Sequence, residues 1–178
     1  MLSINIYENI MFNNTLIQLL SDDKLIYTIN NHNSLMIVQQ KLYNNCVFIA
    51  ILSVISYLFN ISYFNPDNLY MSYKELINDD NDDGSFMLET VEYINKMINE
   101  VDIVYGVNMF SVSCDWDIIR YYLINNYPLI VTILNSNMRY HTTLIYGFSN
   151  DGKLYLKDKM IDIESFENVF TEMYVIKN

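Results

Sequence analysis

The sequence predicts an α+β domain, with helices in its first half, an antiparallel sheet in its second, and one buried helix facing that sheet. Three observations carry this. Val47 to Phe59 is apolar almost all round, the pattern of a helix buried on every side. Several later segments up to Leu123 repeat their apolar residues near the helical period. From Leu129 onward the apolar runs are short and divided by turn residues, among them Asp151-Gly152, a dipeptide suited to a tight hairpin. The 178 residues suffice for one sizeable core, and no linker or internal repeat divides them. Residues 1–178 therefore read as one domain, a lead-in over 1–36 and a core over 37–178.

In order along the chain, Ile10 to Leu20 reads as a short helix ended by Ser21-Asp22-Asp23, and Lys24 to Ile29 as a strand. Ser34 to Val38 is an apolar approach to the central helix, Cys46 to Phe59. Asn65-Pro66-Asp67 breaks the chain, and Asn68 to Ile77 forms a second helix ended by an acidic run. Leu88 to Ile98 is close to helical period, Asp102 to Val107 is a strand candidate, and Asp115 to Leu123 is a helix with Trp116, Ile119 and Leu123 on one face. Asn125-Asn126-Tyr127-Pro128 stops it. Leu129 to Leu134 is continuously apolar, as in a strand covered on both faces. Tyr140 to Phe148 and Gly152 to Leu156 follow as strands, then a short helix over Ser165 to Phe170 and a closing strand over Met173 to Ile176.

Charge and composition narrow the function. A net charge of −11 repels phosphate backbones and argues against generic nucleic-acid binding. The run Asn78 to Gly84 sets its carboxylates in adjacent pairs, and Glu89 lies too near to close a twelve-residue calcium loop, so the run reads as a solvated loop. The frequent Asn, Ile, Tyr and Lys read as AT-rich coding, as in some bacteria, viruses and protists. Met1 to Asn5 lacks a basic stretch ahead of an apolar core, so no signal peptide is expected. The Val47–Phe59 run is too short to span a bilayer, and Ser53 and Ser56 interrupt it. A domain of this size does not need a disulfide between its two cysteines. The expectation is a soluble, cytoplasmic protein with free thiols and no membrane insertion.

The chemistry centres on Cys46, in the first turn of the apolar helix. Unpaired N–H groups and the positive end of the helix dipole stabilise an anion there, and a thiolate is a strong nucleophile. The competing reading is a small buried hydrophobe. Of the two histidines, His32 lies in an Asn-rich turn and reads as a solvated loop residue. His141 begins the Tyr140–Phe148 strand, where a base can meet a thiol on a facing helix. Asp158 ends the next strand, and a tight hairpin would return it beside His141 to accept the Nδ1–H of the imidazole. Cys114 has no histidine pattern near it and reads as structural. No metal-binding cluster is visible, and four glycines leave little room for a phosphate-binding loop.

Gln40 stands six residues before Cys46, and the order Gln, Cys, His, Asp is kept along the chain. With Trp116 to Val131, His141-Thr-Thr-Leu-Ile-Tyr-Gly147, Asp151 to Asp158 and Asp162 to Phe166, the pattern resembles the papain-like cysteine peptidases, and more closely their C39-type branch, which includes double-glycine leader peptidases. The resemblance covers roughly residues 35–176. It implies a papain-like fold and a thiol protease acting on a protein or peptide substrate. Cys46 would be the nucleophile, His141 its base, Asp158 the residue orienting His141, and Gln40 the oxyanion donor, with no cofactor. Val47-Phe48 replace the glycine and small residue that usually follow the nucleophile, Lys159 replaces a common proline, and Asn45 stands where many members carry an acidic residue or serine. The triad alone does not separate water from an amine as acceptor. A deamidase, transglutaminase or acyltransferase, and a non-catalytic papain-like binding module, stand as alternatives.

Overall fold

The computed structural model describes residues 17–21, 24–36, 45–59, 65–77, 87–100 and 108–177. Its elements in chain order are β1 (Ile17–Ser21), β2 (Lys24–Thr28), a 3-10 turn (His32–Met36), α1 (Cys46–Phe59), α2 (Pro66–Ile77), α3 (Met87–Glu100) and β3 (Asn108–Ser111). Then come α4 (Trp116–Ile124), β4 (Leu129–Leu134), β5 (Tyr140–Ser149), β6 (Lys153–Leu156), β7 (Met160–Asp162), α5 (Ile163–Val169) and β8 (Phe170–Lys177). The molecule is α+β, and α1 lies against an antiparallel sheet, as the sequence predicts.

The sheet runs β1-β2-β5-β4-β8-β3, with β6 on β5 and β7 on β6. β5 organises it. Ile145 pairs with both Leu129 of β4 and Leu156 of β6, so those two strands lie on opposite edges of β5. Gly147 and Phe148 pair with both β2 and β6, so β2 follows β4 along one shared edge. β4 is buried on both faces from Leu129 to Ile133, as its unbroken apolar run predicts. Gly147 lets β2 in: a Cβ there would stand 2.5 Å from the Tyr27 carbonyl oxygen and 2.9 Å from Thr28 Cγ2.

α1 is buried on every side from Val47 to Ile55. One side lies on β5; on another, Phe48 packs among Tyr70 and Tyr73 of α2 and Tyr93 of α3, with ring centroids 5.6, 5.5 and 6.1 Å away. Asp115 caps α4 by accepting the N–H groups of Asp117 and Ile118.

Several expectations change. Ile17 to Leu20 is strand rather than helix: a compact apolar run suits either, and pairing with Lys24–Thr28 decides it. α2 begins at Pro66, two residues before Asn68, because Asn65 Oδ1 accepts the N–H groups of Asp67 and Asn68 and proline is well suited to the first helical position. The proposed strand over Asp102–Val107 and the acidic run from Asn78 lie outside the described residues, while β3 at Asn108–Ser111 and β7 are strands the sequence reading lacks. His32 is not a free loop side chain: its ring stacks on Tyr146 at 5.2 Å, and its Nδ1 is buried.

Candidate active site

Cys46 is the first residue of α1, and the residue before it fixes where that helix starts. Asn45 is fully buried; its carbonyl accepts the Ile49 N–H at 3.0 Å, and its Nδ2 donates to Asp67 Oδ1 at 2.7 Å. The start of α1 is thereby tied to the first turn of α2.

β5 brings the other half. His141 pairs with Ile133 of β4. Successive side chains on a strand alternate faces, so His141 and Thr143 share one face. The Thr142 hydroxyl lies 3.1 Å from that of Thr132, which donates to Glu172. His141 is hydrogen-bonded to Cys46, and both the backbone N–H and the side chain of Thr142 also reach the sulfur. Past Leu156, the Lys157 N–H donates to the Leu144 carbonyl at 2.9 Å, carrying the β5–β6 ladder one residue further and delivering Asp158 to His141.

His141 Nε2 lies 3.5 Å from Asp158 Oδ2, an ion-pair contact at the long limit of a hydrogen bond. Thr143 Oγ1 donates to the other carboxylate oxygen at 2.7 Å. This corrects the expected nitrogen: Asp158 faces Nε2, which leaves Nδ1 for the thiol. The side chains of His141 and Asp158 are 32% and 44% exposed, so the pair is partly open to solvent.

The electrostatics follow. Burial raises the Cys46 pKa, but the His141 hydrogen bond, the Thr142 N–H and the charge on His141 outweigh it, and the thiol ends below its ordinary value. Asp158, first as hydrogen-bond acceptor, and then Cys46 raise His141 to about 9 against the opposing effect of burial. Burial also opposes the charge on Asp158, yet His141 and Thr143 bring it down to about 2. Each shift favours a thiolate beside an imidazolium. Cys114 moves the other way: burial, Glu167 and Asp115 raise its pKa. Both cysteines are free.

The structure thus brings Cys46, His141 and Asp158 together. Gln40 lies outside the described residues. Three contributors were missed. Thr143 was legible, since it lies two residues beyond His141 and so on the same strand face. Asn45 and its Asp67 anchor had no sequence signal. Lys157 donates at 3.4 Å to Ser53 Oγ, and Ser53 donates to the Ile49 carbonyl at 2.6 Å. Ser53 is two helical turns beyond Cys46 on the same stripe of α1, so the segment carrying Asp158 also grips the helix that begins with Cys46. Among the described residues no group of three or more His, Cys, Asp or Glu side chains is placed to hold a metal ion, and no helix is long and apolar enough to cross a membrane. The chain matches no protein-family model and none of the curated proteins.

Proposed function

We propose that this chain is a cysteine peptidase of papain-like type that hydrolyses peptide or isopeptide bonds through Cys46, His141 and Asp158. The observation that carries the proposal is the contact of a helix-start thiol with a histidine whose far nitrogen faces a carboxylate, all three shifted toward the ion pair. The peptide substrate rests on the residue-level resemblance to the C39-type branch.

The chemistry is acyl transfer. The Cys46 thiolate attacks the carbonyl carbon, forming a C–S bond while the C=O electron pair moves to oxygen. The Cys46 backbone N–H, without an intrahelical acceptor, can donate to that oxyanion, and one such donor is worth about 2.7–4 kcal/mol. Gln40 is the proposed second donor, a role implied by the resemblance, in which a glutamine stands six residues before the nucleophile. Collapse breaks the C–N bond as imidazolium His141 protonates the leaving amine. Neutral His141 then takes a proton from water, which attacks the thioester, releases the acid and restores the ion pair. Asp158 holds the ring throughout.

The test is alkylation of Cys46 and Cys114, read separately by peptide mass spectrometry across pH, in the native protein and in His141→Ala. Cleavage of a denatured protein mixture is followed in parallel with Cys46→Ala as control. Alkylation of Cys46 well below pH 7 that is lost in His141→Ala while Cys114 is unchanged, together with Cys46-dependent cleavage, supports the proposal. An ordinary or buried thiol in both proteins removes the mechanism.

A further inference from the structure

The far end of α1 lines a cavity of about 630 Å³. Ser56 and Tyr57 lie ten and eleven residues beyond Cys46, about 15 Å along the helix, so the cavity is remote from the thiol. Its other walls come from Asn31, in the turn before the 3-10 segment, and from Asn125, Asn126 and Tyr127, after α4.

We infer that this cavity is a binding site for a neutral saccharide of one or two rings. Its volume falls in the range of ligand pockets, about 300–1,000 Å³. No Asp, Glu, Lys, Arg or His is among its described lining residues, so none of these would supply a counter-charge to a desolvated ion. The net charge of −11 further disfavours an anion. The phenol of Tyr57 is neutral at its ordinary value, and burial pushes it further up, to about 12.

The polar groups are arranged to offer both a donor and an acceptor. Asn126 spends its Oδ1 on the Asn30 N–H at 3.0 Å, which leaves its Nδ2 to donate. Asn125 spends its Nδ2 on the Tyr121 carbonyl at 2.7 Å, which leaves its Oδ1 to accept. Sugar hydroxyls need both kinds of partner, and Tyr57 adds an aromatic side chain to the lining. Asn31 and Asn126 have φ of 48° and 62°, two of the three described non-glycine residues in left-handed backbone. Such conformations cost free energy and cluster where a loop is held for a ligand.

The test is ligand-observed NMR on the whole chain with glucose, N-acetylglucosamine and maltose, against glucosamine and glucose 6-phosphate. Asn126→Gly keeps the backbone conformation and deletes the amide, and Ser56→Leu fills the cavity. Saturable binding of a neutral sugar, weakened at least about tenfold by either variant while Cys46 alkylation stays as in the native protein, supports the site. No binding of any neutral sugar up to about 100 mM, equal binding of the charged sugars, or binding that survives both variants overturns it.

Discussion

His141 and Asp158 meet through Nε2 and Oδ2, 3.5 Å apart, across the end of the β5–β6 hairpin. The carboxylate is the largest reason that His141 reaches about 9. Asp158→Asn keeps the shape and removes the charge. Its expected effect is to move the alkaline limb of kcat/KM from about 9 toward the ordinary histidine value of 6.5, and to lower the maximum about 100-fold or more. A pH–rate profile of both proteins checks it. An unmoved alkaline limb would remove Asp158 from the mechanism.

Stability at acid pH has a definite sign. The folded-state pKa of Asp158, about 2, lies below its ordinary 3.8. Its contribution is therefore present above about 3.8 and is lost as pH falls toward 2. Asp158→Asn should match the native protein's stability more closely at pH 2.5 than at pH 5. Urea midpoints at the two pH values test this, and an equal difference at both would contradict the assignment.

Thr143→Val deletes the hydroxyl that donates to Asp158. The Asp158 pKa should rise, the His141 ring should lose its fixed partner, and the alkaline limb should move below 9. Stability should fall by about 1 kcal/mol. Thr143→Ser, which restores the donor, should recover the pH profile, a result that loss of packing alone does not predict.

Gly147→Ala places a methyl group against backbone that cannot swing aside. Displacing β2 from β5 should cost about 1–3 kcal/mol. Gly152→Ala is the contrast: its methyl group would meet Ile163 Cγ2 at an ordinary 3.6 Å, and its penalty comes from a φ of 81°, about 1–2 kcal/mol. Urea unfolding of the two variants separates a steric cause from a conformational one, since only Gly147→Ala should also slow Cys46 alkylation by disturbing the strand that bears His141.

Much of this architecture was legible in the residues. Cys46–Phe59 is apolar within and flanked by Asn44-Asn45 before it and Asn60 after it, so its ends are visible. Asp158 could be placed beside His141 because the Asp151-Gly152 turn sets the register of the hairpin. Which imidazole nitrogen faces Asp158 could not be read, because it depends on where α1 crosses β5. β3 and β7 are four and three residues long and show no period of their own; their partners define them. Ile17–Leu20 misled because helix and strand can both bury such a run. The buried Asn45–Asp67 bond joins two helices through residue types common in loops, and only the folded chain reveals it.

The placement of Cys46 and His141 on distant stretches of chain has a consequence for synthesis. Cys46 leaves the ribosome early, while the strand that lowers its pKa is made only in the second half of the chain. Until β5 docks on α1, the nascent thiol has neither its imidazole partner nor the Thr142 N–H, and it behaves as an ordinary cysteine. On the proposed mechanism its reactivity appears only once β5 has docked on α1, so a partly made chain is chemically quiet toward its neighbours.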